Sequence, residues 1–162
     1  MFEPPLDSSR VIINTMYYFA YGSNMNEEQM SRRCPDAQLF GKGVLRDYRL
    51  DFTISAPERW NGAGCADVVE IGGGEVWGLL YIVTPTDEGN LDRAEGPRYR
   101  KIIRTIHAEG GQDVRAFLYE VIDKAPPKKP SVQYLNPIKN AALKHQFPES
   151  YVNFLNAIEV AN

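Results

Sequence analysis

The stretch YYFAYGSN at residues 17–24 joins a strand of aromatic residues to a glycine turn. A helix start follows at once, because Asn26 and Gln29 have the three-residue separation of a capping box. A glycine turn before a helix presents free N–H groups and the positive end of the helix dipole, which favour a carboxylate or an oxyanion. Residues 22–24 therefore either hold an anion or serve only as turn and helix cap.

The composition predicts a single soluble domain. The chain has 162 residues, of which 43% are hydrophobic and 24% charged, as is ordinary for a globular protein. The net charge of −3 and the pI near 5.4 give no basic surface for nucleic acid. A run of about 18 apolar residues, which a membrane span needs, does not occur, nor do the features of a secretory signal. We expect a cytoplasmic protein without nucleic-acid or membrane partners.

The cysteines and histidines argue against a metal site. Cys34 and Cys65 are far apart and are expected to be free thiols in a reducing compartment. Neither has a cysteine or histidine at metal-ligand spacing, and the chain's histidines are His107 and His145. We therefore predict no metal.

Hydrophobic periodicity and turn signals predict an α+β fold. Strands are expected at 16–21, 44–54, 65–71, 75–83, 99–108 and 113–122, and helices at 26–33, 85–94, 131–145 and after Pro148. Gly72–Gly74 reads as a hairpin turn, and Pro137 as a kink or restart in its helix. Strands in hairpin-like pairs favour a mixed or antiparallel sheet of about six strands with helices outside, over a parallel α/β sheet. Residues 1–15 are expected to form a tail and 16–162 one domain.

Glu95 breaks a local rule of helix chemistry. It is the last residue before a Gly-Pro break, and a carboxylate at a helix carboxyl end opposes the dipole by about 0.3–1 kcal/mol. The dipole also raises its proton affinity, which suits a base that works near neutral pH. Glu95 is therefore either an acid–base residue or a surface glutamate at a frayed helix end.

Nine tyrosines are many for a chain of this length. Those predicted on strands or at element ends are Tyr18, Tyr21, Tyr99, Tyr119 and Tyr134. Their hydroxyls can orient a substrate in an apolar pocket, or the rings can simply pack in the core. Ser23 lacks both a Gly-x-Ser-x-Gly setting and a histidine at familiar spacing, so serine hydrolase chemistry is unsupported.

Five short blocks of this sequence resemble the γ-glutamylcyclotransferase and AIG2-like (BtrG-like) superfamily. They are YFAYGSNM at 18–25, LRDYRLDF at 45–52, GEVWG at 74–78, LDRAEG at 91–96 and PSVQY at 130–134. The chain is most similar to the γ-glutamylcyclotransferase branch. The resemblance implies a small β-barrel with flanking helices and a C-terminal helical segment, a homodimer, no cofactor, and a role in glutathione metabolism.

The resemblance also implies an activity and its residues. A γ-glutamyl amino acid would be converted to 5-oxoproline and a free amine by attack of its own α-amine, with Glu95 as general acid and base. The implied substrate-binding residues are Tyr18, Phe19, Ala20, Tyr21, Gly22, Ser23, Asn24 and Tyr134. Tyr99 and Tyr119 are expected to line or flank the pocket. The segments Arg93-Ala94 and Pro97-Arg98, where this sequence departs from the family pattern, are expected to border it.

Two alternatives remain at this stage. The enzyme could act on a γ-glutamylamine or on a larger γ-glutamyl-acylated metabolite. The chain could also be an AIG2-like module that binds a small ligand without turnover, although the presence of Glu95 speaks against this.

Overall fold

The computed structural model describes residues 15–55 and 63–161, which form a barrel of five strands with four helices. The strands are β1 (Met16–Ala20), β2 (Gln38–Ser55), β3 (Gly64–Val83), β4 (Tyr99–Ala108) and β5 (Asp113–Val121). The helices are α1 (Glu27–Arg33), α2 (Pro85–Glu95), α3 (Val132–Lys144) and α4 (Glu149–Asn156), with a 3₁₀ turn at Ser23–Met25. Apart from Thr15, the predicted tail lies outside the described residues.

The barrel closes in the order β1-β3-β2-β4-β5 and back to β1. Neighbouring strands run antiparallel except β1 and β5, which pair in parallel, so the sheet is mixed as predicted. Two of these contacts are short, since β2 pairs with β4, and β1 with β5, over two residue pairs each. The α+β class and the barrel are confirmed.

The predicted hairpin at Gly72–Gly74 is wrong, which is why the structure has five strands and not six. Arg46 of β2 pairs with Glu75 and Tyr48 with Glu70, so both halves of β3 pair with the same strand in the same sense. The four intervening residues of β3 bulge opposite Asp47, whose carboxylate accepts a hydrogen bond from the Gly73 N–H at 3.0 Å. The glycines absorb the extra length, with Gly73 at φ +81°, so the chain continues without reversing.

The helix starts follow the predicted cap chemistry. The Asn26 side chain accepts from the Gln29 N–H at 3.0 Å and caps α1. Thr84 and Asp87 form a reciprocal capping box on α2, with Pro85 at its first position. In α4, Tyr151 and Leu155 are buried against the core, whereas Phe154 is 41% exposed.

The third helix continues through Pro137 as one element, so the predicted restart does not occur. Pro137 lies in the second turn, where its missing N–H removes one intrahelical bond. Leu135 and Ile138 are fully buried on either side, and their packing holds the segment helical. None of the helices in the two described ranges has the length and apolar character needed to cross a membrane.

Strand direction brings several element ends together. Because β1 and β5 are parallel, their carboxyl ends lie at the same end of the barrel. The amino ends of β3 and β4 lie there too, since each of these strands is antiparallel to one of that pair. This end of the barrel carries the candidate site.

Candidate active site

A cleft with a cavity volume of about 40 Å³ opens at this end of the barrel. It is lined by Tyr18, Tyr21, Gly22, Ser23, Asn24, Ala66, Glu95, Tyr99, Tyr119 and Tyr134.

Glu95 is the last residue of α2 and lines the cleft. Gly96, at φ +77°, ends the helix there. The Glu95 carboxylate has no hydrogen bond or ion pair with another described residue, so it is free to act on a ligand. Burial raises its pKa to about 7, and the charge of Arg33 opposes this rise. The pKa of Glu95 is raised, as predicted. The main cause is burial, whereas the sequence suggested the helix dipole.

Four of the tyrosines form a hydrogen-bonded wall. Tyr134 accepts from the Ala66 N–H at 2.9 Å, and Tyr99 donates to the Ala66 carbonyl at 3.0 Å. Tyr21 donates to the Tyr119 carbonyl at 2.5 Å. Burial raises the pKa of each of these tyrosines, so their hydroxyls stay neutral and offer hydrogen bonds without charge.

Tyr119 also couples the wall to the helix that carries Glu95. Its hydroxyl donates to the Asp92 carboxylate at 2.6 Å. Asp92 precedes Glu95 by three residues, so both side chains lie on one face of α2. The contact therefore fixes the end of α2 against the wall.

The turn at residues 22–24 keeps free backbone donors beside the cleft. The N–H groups of Met25 and Asn26 bond to the Gly22 and Ser23 carbonyls, each at 3.0 Å. Those of Ser23 and Asn24 have no acceptor among the described residues. Such donors suit a carboxylate or a developing oxyanion.

A methyl group at residue 22 is expected to obstruct this part of the cleft. A Cβ on Gly22 would lie 3.2 Å from the Ala66 Cβ and 3.5 Å from the Tyr134 hydroxyl. The Gly22 φ of −117° is open to alanine, but its ψ of −133° lies outside the main allowed regions, so the binding measurement is made on protein shown to be folded by circular dichroism. We expect Gly22→Ala to weaken binding of a cleft ligand about 10-fold or more, measured by titration. Gly72→Ala is the control, since nothing lies within 4 Å of its Cβ. Equal affinity in both variants would contradict this placement.

Not all of the predicted site residues meet at the cleft. Phe19 and Ala20 are buried in the core, at 0% and 1% exposure, because they lie within the packed strand β1. Pro97 and Arg98 line a separate depression with Ile54, and Arg93 is exposed beside Asn90. Glu95 lines the cleft, whereas Arg93, Pro97 and Arg98 do not. Gly96, at φ +77°, changes the direction of the chain directly after Glu95.

Sequence reasoning did not identify Ala66, Asp92 or Arg33. Asp92 carried a usable signal, its three-residue spacing from Glu95 on a predicted helix. Ala66 contributes only its backbone groups and carried no signal. Neither Cys34 nor Cys65 forms a disulfide within the described residues, in line with the prediction. In the part of the chain that the structure describes, no three His, Cys, Asp or Glu side chains are grouped as metal ligands would be.

Comparisons with known proteins agree with this fold and cleft. Residues 75–155 match the model of the AIG2-like family. The γ-glutamylcyclotransferase of Homo sapiens is 33% identical over 150 residues, which is 88% of this chain and 78% of the relative. The γ-glutamylcyclotransferase of Bos taurus gives the same identity and coverage. A solved structure of a γ-glutamyl cyclotransferase aligns with a TM-score of 0.85 and 29% identity, covering 91% of this chain and 90% of that one.

The fold and cleft thus define a small barrel protein of the AIG2-like class. Within that class, this chain belongs to the γ-glutamylcyclotransferase family of enzymes.

Proposed function

We propose that this enzyme converts a γ-glutamyl amino acid to 5-oxoproline and a free amino acid. The α-amine nitrogen of the substrate attacks its own γ-carbonyl carbon and forms the bond that closes a five-membered ring. The bond from that carbon to the departing nitrogen then breaks. Because the reaction is intramolecular, the enzyme needs only to fold the substrate into the reactive shape and to move one proton.

Glu95 is the residue proposed to move that proton. Its carboxylate takes a proton from the attacking amine and delivers it to the departing nitrogen, so a single group serves as base and then as acid. The observation that carries the proposal is the Glu95 carboxylate, which has a pKa of about 7 and no hydrogen bond or ion pair with another described residue, in a cleft lined by backbone amides and neutral tyrosines. At neutral pH such a group both accepts and releases a proton readily.

The remaining cleft groups are proposed to bind the γ-glutamyl group. The Ser23 and Asn24 N–H groups suit the oxyanion that forms on the γ-carbonyl, or the α-carboxylate. Ser23 is a donor in this scheme and not a nucleophile. Tyr18 and Tyr134 bind the glutamyl group, while Tyr99 and Tyr119 form the pocket wall.

A substrate panel tests the proposed function. Purified enzyme is incubated with γ-glutamyl amino acids, γ-glutamylamines and γ-glutamyl-acylated lysine, and 5-oxoproline is detected directly by mass spectrometry. Release from the amino-acid conjugates supports the proposal, and release from the amines alone supports the alternative substrate class. Formation of free glutamate without 5-oxoproline would contradict intramolecular attack.

The pH dependence of turnover should report the Glu95 carboxyl. Glu95 must be deprotonated to accept a proton, so kcat/KM should rise with pH and level off above about 7. The measurement is a kcat/KM profile on one γ-glutamyl amino acid between about pH 5 and pH 9, roughly two units on either side of that pKa. A midpoint near 4.5, the ordinary value for glutamate, would contradict the burial argument.

Location and assembly are proposed with the same function. We place the enzyme in the cytoplasm, because the lack of a disulfide between Cys34 and Cys65 suits a reducing compartment. A role in glutathione metabolism is proposed from the γ-glutamyl substrate class. A homodimer is proposed because the large apolar side chains Leu143 and Phe154 are exposed on α3 and α4. Light scattering of the purified protein tests the dimer, and a monomeric mass would contradict it.

A further inference from the structure

A chain of hydrogen bonds runs from α1 to the cleft. The Arg33 Nη1 donates to the Asn24 Oδ1 at 2.8 Å, and the Gln29 Nε2 donates to the same oxygen at 2.9 Å. The Asn24 Nδ2 then donates to the Tyr18 hydroxyl oxygen at 3.0 Å. Asn24 and Tyr18 are 3% and 4% exposed, so bulk water contributes little to either side chain.

These contacts determine which way the Asn24 amide faces. An asparagine amide accepts hydrogen bonds only at its oxygen and donates only from its nitrogen. Two donors, one of them a charged guanidinium, meet at the Oδ1 position, so the oxygen must lie there. The nitrogen is thereby left to face Tyr18.

The orientation of the Asn24 amide in turn determines whether the Tyr18 hydroxyl can donate a hydrogen bond into the cleft. Its oxygen already accepts from Asn24, and its single hydrogen has no acceptor among the described residues. Tyr18 lines the cleft beside Glu95. The hydroxyl hydrogen is therefore available to a ligand in the cleft.

Arg33 is itself held in place by the helix that carries Glu95. It is the last residue of α1, and its carbonyl accepts from the Asn90 side chain of α2 at 3.0 Å. Arg33 does not line the cleft. Arg33 can therefore affect a bound ligand in two ways, through its hydrogen bond to Asn24 and through its charge, which lowers the pKa of Glu95.

We propose that Arg33 is a positioning residue that, through Asn24, sets the Tyr18 hydroxyl as a hydrogen-bond donor to an oxygen of the γ-glutamyl group. This inference rests on the proposed function. Without Arg33, the Asn24 amide can rotate and present its oxygen to Tyr18. The Tyr18 hydrogen would then point at Asn24, and the substrate would meet an acceptor in place of a donor.

The test compares Arg33→Met and Arg33→Lys with Arg32→Met as a matched control. Arg32 is the neighbouring arginine on α1, and its exposed side chain pairs with Glu28 away from the cleft. We expect Arg33→Met to lower kcat/KM for a γ-glutamyl amino acid about 10-fold or more, the scale of one hydrogen bond to a charged group. Arg33→Lys should retain most of the activity, because lysine keeps a charged donor. Arg32→Met should match the wild type.

A double-mutant cycle tests whether Arg33 acts through Tyr18. Because Tyr18→Phe removes the hydroxyl, we expect Arg33→Met to cause little further loss in the Tyr18→Phe background. If the two losses multiply, or if Arg33→Met behaves like Arg32→Met, the proposal is wrong.

A spectroscopic readout separates this proposal from the proposed function. The side-chain amide signal of Asn24 in ¹⁵N NMR spectra should shift in Arg33→Met and in Tyr18→Phe but stay in place in Arg32→Met. An unshifted signal in Arg33→Met would overturn the proposed orientation even in an active enzyme. If the wild type released no 5-oxoproline, the proposed function and the substrate role of Tyr18 would fail. The amide signal would still show whether Arg33 sets the orientation.

Discussion

Replacing Glu95 by glutamine is expected to lower kcat for 5-oxoproline release by at least about 100-fold, the usual scale for loss of a general base. The amide keeps the shape of the side chain but cannot carry the proton between the two nitrogens. The measurement is steady-state turnover of a γ-glutamyl amino acid at a pH above about 7, where the native carboxylate is ionised. An unchanged kcat would contradict the role assigned to Glu95.

The same variant should fold at least as well as the wild type. Burial raises the folded-state pKa of Glu95 above its ordinary value, so the contribution of this group to stability is full below 4.5 and is lost as pH rises through about 7. Glutamine has no charge to bury, so the unfolding free energy of Glu95→Gln near pH 8, about one unit above that pKa, should equal or exceed that of the wild type. Glu88→Gln is the matched control on α2, since Glu88 pairs with Lys101 and does not line the cleft. It should keep the wild-type turnover.

The second large effect is expected from Asp67→Ala, as a loss of stability. The Asp67 carboxylate is fully buried and accepts from the Thr53 hydroxyl at 2.6 Å, the Val121 N–H at 2.8 Å and Lys124 at 2.8 Å. It therefore links β3 to β2 and to the end of β5. Alanine would leave the Thr53 hydroxyl and the Val121 N–H unsatisfied, at a cost of about 2–5 kcal/mol in unfolding free energy, whereas Lys124 keeps its bond to the Val121 carbonyl. Urea denaturation measures this loss.

Asp113→Ala provides the comparison for Asp67→Ala. The Asp113 side chain is 62% exposed and pairs with His107, so its removal should cost less than about 1 kcal/mol. If both variants unfolded at the same urea concentration, the Asp67 network would not stabilise the barrel as argued.

Local chemistry explains why parts of the fold could be predicted from the sequence. The Asn26 cap, the Thr84–Asp87 capping box and the Gly96 stop each act within about one helical turn, so the residues alone specify them. The strand pair 99–108 and 113–121 is joined by Gly110 and Gly111, whose positive φ values suit a turn. Gly72–Gly74 carries the same local signal, and there it misleads, because pairing of both flanks with β2 outweighs the turn preference.

Some residues of the candidate site could likewise be predicted from the sequence, and others could not. The YFAYGSNM and LDRAEG blocks identified the glycine turn and Glu95 before any contact was known. The contacts of Ala66 and Arg33 could not be predicted from the sequence. Ala66 contributes only backbone groups, and Arg33 bonds to Asn24 and does not line the cleft. No periodicity or spacing marks such contacts, because they join residues from distant parts of the chain.

The residues alone were enough to predict the family resemblance, the α+β class and the helix ends. They also identified two parts of the proposed site, Glu95 and the glycine turn after β1. These follow from short-range rules or from residue types that few other functions require. The tertiary structure alone decided the barrel closure, the five-strand count and the environment of Glu95. Its pKa of about 7 comes from burial, and burial exists only once strands and helices from distant parts of the sequence have packed around the cleft.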